Sequence, residues 1–226
     1  MVRPRAQLRF RADIVGADKM TDNATNGQEH HGRAHWFRPE ELNEEQRSLY
    51  DAITSGPRGS APRTSPLTDE AGRLSGPFNA MLLSPRLGNA LQRLGATVRY
   101  ESTLGAAARE LAILDVARVN RCDVEWLGHA HLASAAGISD QQLDAVRRGD
   151  APQGLGTEEA AVHAVALALL GDADLDDARF DAAIAALGSE KVMETIILVG
   201  YYNLLGLSMR VWRTPVPPGT KAVFAV

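Results

Sequence analysis

A chain of 226 residues with 24 Lys and Arg against 28 Asp and Glu carries a formal charge of −4, which gives no reason to expect nucleic acid, because phosphate backbones are held by clustered cations. Alanine, leucine and glycine are abundant while aromatic residues make up 5%, a balance that favours closely packed helices over a β-sandwich built from β-branched and aromatic alternation. The lone cysteine, Cys122, excludes an internal disulfide framework and an all-cysteine metal site, and it fits a reducing cytoplasm.

The amino end, MVRPRAQLRFRADIVG, is basic but lacks a continuous apolar stretch, so it does not read as a secretory signal. The longest apolar run, Ile196 to Leu207, is interrupted by Asn203 and is too short for a bilayer. A soluble cytoplasmic protein with no membrane partner is expected. Residues 1–35 are polar and irregular and predict a flexible or draping N-terminal arm. Its three histidines, His30, His31 and His35, read as incidental rather than as a metal site. Residues 36–226 predict a single helical domain.

Pro39 with acids behind it opens a helix that stops at Gly56, burying Leu42, Leu49, Tyr50 and Ile53. The next segment has too many glycines and prolines for regular structure and predicts a long loop, which ends at Gly76-Pro77-Phe78-Asn79. Ser84-Pro85 predicts a helix start, with the helix running to about Thr97.

Ser102 or Thr103 is the expected cap of a helix reaching Asn120. At 100° per residue, Glu110 shares a face with Ala106, Ala107, Ile113, Leu114 and Ala117, while Ala108, Ala112 and Asp115 fall on the other side. Glu110 thus occupies a place suited to leucine. A buried carboxylate must be paired, hydrogen-bonded or protonated, so the residue is either a structural ion pair, with Arg118 or Arg121, or a working acid or base.

From about Cys122 to Ala136 a further helix ends at Gly137. Cys122, Glu125, Trp126 and His129 fall within about 100° of arc, and His131 points nearly opposite. Ser139 caps a short helix closing in Arg147, Arg148 and Gly149. Thr157 to Leu170 forms an alanine-rich helix in which His163 is most simply a satisfied core or interface histidine. A helix from Asp174 to Leu187 stops at Gly188, and Ser189-Glu190 starts an almost wholly apolar helix to about Trp212. Such a helix must be buried on most sides, centrally or at a subunit interface.

The spacing Glu110, twelve residues to Cys122, three to Glu125 and four to His129 resembles the signature of the carboxymuconolactone decarboxylase and alkylhydroperoxidase D family. In its peroxidase branch that frame carries a Cys-x-x-Cys pair, whereas here Glu125 stands where the second cysteine would be. The sequence Val124-Glu125-Trp126-Leu127-Gly128-His129 is similar to the Tyr-Glu-Trp-x-x-His of the decarboxylase-like branch and departs at the tyrosine. Gly76 to Asn79, Arg109-Glu110-Leu111, Val199-Gly200-Tyr201-Tyr202-Asn203 and the prolines from Pro215 to Pro218 add to the likeness, which covers about residues 39 to 220. The resemblance implies an all-α, alkylhydroperoxidase D-like helical bundle, assembled as a homo-oligomer (trimer or hexamer).

With no second thiol to resolve a sulfenate, a disulfide-based peroxidase cycle cannot close within the site. Glu110, Glu125 and His129 are the expected catalytic residues, with Cys122 and Trp126 as further candidates. The implied activity is a cofactor-independent lyase or isomerase on a small carbonyl or lactone carboxylic acid, as in 4-carboxymuconolactone decarboxylase. His129 is the expected proton donor, oriented by Glu110 or Glu125, and mutual repulsion is expected to split the pKa values of the two carboxyls. A hydroperoxide reductase using Cys122 with an external thiol and a non-catalytic binding member of the family are the alternatives. Arg73, Arg86, Arg99, Arg109 and Arg118 are equal candidates to hold a substrate carboxylate. No metal or cofactor is expected.

Overall fold

The computed structural model describes residues 29–56, 59 and 66–224. The greater part of the expected arm, residues 1–28, lies outside the described residues. Its last portion is ordered into a two-stranded antiparallel hairpin, β1 (His30–His31) and β2 (Ala34–His35). The hairpin is docked on the carboxyl end of the last helix, where Arg33 N donates to the Trp212 carbonyl at 2.7 Å. His30 and His35 face each other across the hairpin with ring centroids 6.4 Å apart, and His31 lies apart from them. His31 is buried against Trp36, with ring centroids 4.9 Å apart, and burial lowers its pKa to about 4. His35 Nε2 pairs instead with Glu41 at 3.1 Å. No cluster of three metal-ligating side chains exists among the described residues.

Eight α-helices follow among the described residues. Pro39–Glu41 is a single 3-10 turn, and α1 (Glu44–Thr54) begins later than expected. Leu42 is extended, and Asn43 with Gln46 forms the capping box that starts the helix. The long loop beyond α1 is pinned by Arg73, which pairs with Asp69 at 2.6 Å and lies 3.8 Å over the Trp36 ring. It leads into α2 (Pro77–Met81), whose buried Asn79 donates to the His35 carbonyl at 2.8 Å and so fastens the hairpin to the domain. Next is α3 (Pro85–Tyr100).

Helix α4 (Ala106–Asn120) starts at Gly105, not at Ser102 or Thr103. Those two bind the Glu194 carboxylate at 2.9 and 3.1 Å, while Gly105 N donates to Glu158 at 2.8 Å. The orphan donors of this helix end are therefore met from distant elements rather than by a local cap. From Ala108 to Ala117 only Arg109 is not fully buried, because α5 (Asp123–Ala135), α7 (Thr157–Gly171) and α8 (Asp177–Val211) pack around it. Small residues at 108, 112 and 117 let these neighbours approach, and each buried Leu or Ile contributes about 1.5–3 kcal/mol. The face carrying Asp115 is opposite Glu110 as expected, yet it is equally buried. One helix thus takes two carboxylates into the interior.

Between them, α6 (Asp140–Arg148) keeps its Ser139–Gln142 capping box and closes at Gly149, φ 83°. Helix α8 breaks at Gly188, φ 74°, so it is two helices meeting at the expected stop. Its second half buries one face in the core, through Leu198, Val199, Tyr202 and Leu205, while Met193, Ile196, Leu204, Leu207 and Val211 stand exposed on the other. No described helix is long and apolar enough to cross a membrane.

Candidate active site

Glu110 on α4 and His129 on α5 are brought together, with Glu110 Oε2 2.6 Å from His129 Nδ1. The Glu110 side chain is 4% exposed and that of His129 12%. Burial alone would raise the Glu110 carboxyl, but the His129 hydrogen bond and the charges of His129, Arg99 and Arg109 outweigh it and hold the group below the ordinary carboxylate value. For His129 burial wins over the partly offsetting carboxylate, and its pKa lies below the ordinary imidazole value. At neutral pH the pair is an ionised Glu110 and a neutral imidazole. Nδ1 must then carry the proton donated to Glu110, which leaves Nε2 as a lone-pair base. His129 is thus a proton acceptor before it can be a donor.

Two cations and a phenol complete this cluster. Arg109 Nε lies 3.7 Å from Glu110 Oε1 and is buried without a hydrogen-bond partner. Arg99, from α3, acts on Glu110 and hydrogen-bonds Tyr202. The Tyr202 ring meets His129 edge to face at 5.1 Å, and burial raises its hydroxyl well above the usual phenol value. Tyr202 was visible in the sequence only as part of Val199–Asn203, with no role attached. Of the five arginines, the fold brings Arg99 and Arg109 to this cluster. Arg73 is occupied in the loop, Arg86 pairs with Glu45 on the surface at 2.8 Å, and Arg118 lies elsewhere.

Glu125 does not touch His129 by any hydrogen bond. Both of its oxygens are buried without partners, and burial pushes its carboxyl far up, so it is held as a neutral acid. The two carboxyls do differ in pKa, but desolvation of Glu125, not repulsion between them, is the cause. Glu125 points towards Gly206 of α8, where an added Cβ would stand 3.1 Å from Oε2 and 2.7 Å from Asn120 Nδ2. Cys122 sits at the start of α5 with its thiol pushed up to about 12, chiefly by burial. Trp126 faces away, packing edge to face on Phe224 at 5.4 Å beside Leu111 and Leu114. The 100° arc therefore splits at its two ends, Glu125 turning to α8 and Trp126 to the carboxyl-terminal segment.

Residues 85–169 match the family model described as the carboxymuconolactone decarboxylase family. Over that stretch the chain is similar to the carboxymuconolactone decarboxylase family. The matched stretch contains the Glu110, Cys122, Glu125 and His129 frame but ends before Tyr202, which the fold supplies from α8. The chain is similar to an alkylhydroperoxidase AhpD core, an uncharacterized peroxidase-related protein from Ralstonia eutropha JMP134, at 13% identity and a TM-score of 0.63, covering 83% of this chain and 93% of that one. It is also similar to an Agrobacterium tumefaciens protein of unknown function, at 20% identity and a TM-score of 0.55, over 62% of this chain and 96% of that one. The debrominase Bmp8 matches at 14% identity and a TM-score of 0.59, over 80% and 90% of the two chains. At these identities the shared feature is the all-α, alkylhydroperoxidase D-like fold. No curated protein matches this chain.

Proposed function

We propose that this protein is a cofactor-independent acid–base enzyme, a lyase or isomerase acting on a small carbonyl or lactone carboxylic acid. The observation that carries the reading is the 2.6 Å Glu110–His129 dyad, in a frame whose second thiol position is occupied by Glu125. Decarboxylation of such an acid leaves an electron pair in an enolate and consumes one proton. His129 Nε2 takes that proton from the substrate's own carboxylic acid while Glu110 stabilises the resulting imidazolium; carbon dioxide then leaves, and the imidazolium returns the proton to the carbon that held the carboxyl group, restoring neutral His129. Arg99 and Arg109 supply positive charge for the substrate carboxylate or the developing oxyanion. Glu125, a buried acid whose oxygens have no partner, is available in the same frame as a second proton donor. Isomerisation would use the same base and acid without loss of carbon dioxide.

The test is turnover of γ-carboxymuconolactone by purified protein and by His129→Ala. Activity unchanged in the variant sinks the assignment of His129. Cys122→Ser should leave that turnover intact, since a buried thiol with its pKa pushed up to about 12 supplies almost no thiolate at neutral pH.

Self-association accompanies this reading. Met193, Ile196, Leu204, Leu207 and Val211 recur at helical spacing along the second half of α8 and remain exposed, a larger apolar stripe than a soluble monomer usually shows. A homo-oligomer covering this stripe would give a sedimentation mass that falls to a single chain in Leu204→Glu/Leu207→Glu. The lone thiol fits a reducing cytoplasmic setting.

A further inference from the structure

The face of α4 turned away from Glu110 holds a second arrangement that this acid–base chemistry does not use. Asp115 is completely buried, and its Oδ2 lies 2.7 Å from His163 Nδ1 on α7. A pair that merely tied two helices together would need nothing more. Two polar atoms beside it nevertheless lack hydrogen-bond partners, Asp115 Oδ1 and Arg118 Nε, both buried. A buried polar atom left unmet is unfavourable, so the two invite a partner. Both residues line a cavity of about 170 Å³ together with His163, Val146, Leu167 and the Gly149–Ala151 turn.

The turn is shaped around the guanidinium. Gly149 has a φ of +83°, and a Cβ at that position would stand 3.2 Å from Arg118 Nη1. Any other residue would be strained there and would press on the arginine. Asp150, at the same turn, is engaged by Arg148 at 2.8 Å and does not neutralise Arg118.

We propose that this cavity is a binding site for a small organic carboxylate, separate from the Glu110–His129 site. The carboxylate meets the planar fork of Arg118, whose geometry matches two carboxylate oxygens. The apolar body lies along Val146 and Leu167, and His163, with Nδ1 committed to Asp115, offers Nε2 to a hydroxyl or carbonyl of the same molecule. Burial raises the Asp115 carboxyl above its ordinary value, with His163 and Arg118 offsetting part of the rise.

The experiment is a titration of isotope-labelled full-length protein with propionate, and in parallel with sulfate, followed by the NMR signals of Gly149, Ala151 and His163. Propionate should shift these signals saturably and more tightly than sulfate. The affinity should fall about ten-fold or more in Arg118→Gln, the loss expected for one charge-assisted pair. It should fall likewise in Ala151→Phe, where an exposed position at the mouth is filled without altering any buried group. His129→Ala should bind propionate as the unmodified protein does. Absence of a saturable shift, sulfate binding as tight as propionate, or undiminished binding in Ala151→Phe would overturn the proposal, and loss of binding in His129→Ala would move the ligand to the other site.

Discussion

Two carboxylate–histidine pairs hang from opposite faces of one helix, at nearly equal distances of 2.6 and 2.7 Å, and their ionisation differs. Glu110 is held below the ordinary carboxylate value although burial works against it, because His129, Arg99 and Arg109 surround it. Asp115 is driven above the ordinary value, because burial exceeds what His163 and a more distant Arg118 return. A histidine at hydrogen-bond distance is therefore not enough to bring a buried acid below its ordinary value. The number of cations within reach decides it, and with it which pair can stabilise an imidazolium during turnover.

The largest expected difference between the pairs is in catalysis. Glu110→Gln should lower turnover of an accepted substrate by roughly 10²- to 10⁴-fold, the range of a general acid–base contribution. His163→Ala should change it less than a few-fold. Equal losses in both variants would erase the functional distinction between the two faces.

Stability should rank the pairs in the other direction. Asp115→Ala leaves His163 Nδ1 without its hydrogen-bond partner in a closed interior, and about 1–3 kcal/mol of unfolding free energy is expected to be lost. Urea denaturation followed by circular dichroism measures it. Glu110→Gln keeps a hydrogen-bonding amide beside His129 and should cost less. The reverse order would mean that the catalytic pair is also the structural one.

The smallest effect is on pH dependence. His129 has a lowered pKa, so the acid limb of kcat/KM should lie below the ordinary imidazole value, with activity present above it and lost as His129 protonates. Because Glu110 raises His129, Glu110→Gln should move that limb to still lower pH. Folding stability follows the same sign: the unfolded chain binds this proton first, so the His129 contribution is intact above the ordinary imidazole value and declines as pH falls through it. A limb above the ordinary value would reverse the assignment of charges in the dyad.

Much of the helical outline was legible from local chemistry. Gly137, Gly149 and Gly188 end or break helices where expected, and the Ser139–Gln142 box starts one, because caps and stops act within a single turn. Starts met by distant partners were not legible: Gly105 is capped by Glu158, 53 residues away. Nor could spacing separate Glu125 from Trp126, since neighbours on one arc diverge once different helices pack against its two edges.

What the sequence determined by itself is the frame, Glu110, Cys122, Glu125 and His129 on two helices, because the 3.6-residue period and the spacing between short-range stops depend only on the local backbone. The tertiary structure decided the rest. It chose Arg99 and Arg109 from five arginines, brought Tyr202 against His129, turned Trp126 away, and made both faces of α4 interior. Those choices depend on which helices meet, and so on the dielectric and the charges each buried acid finds around it.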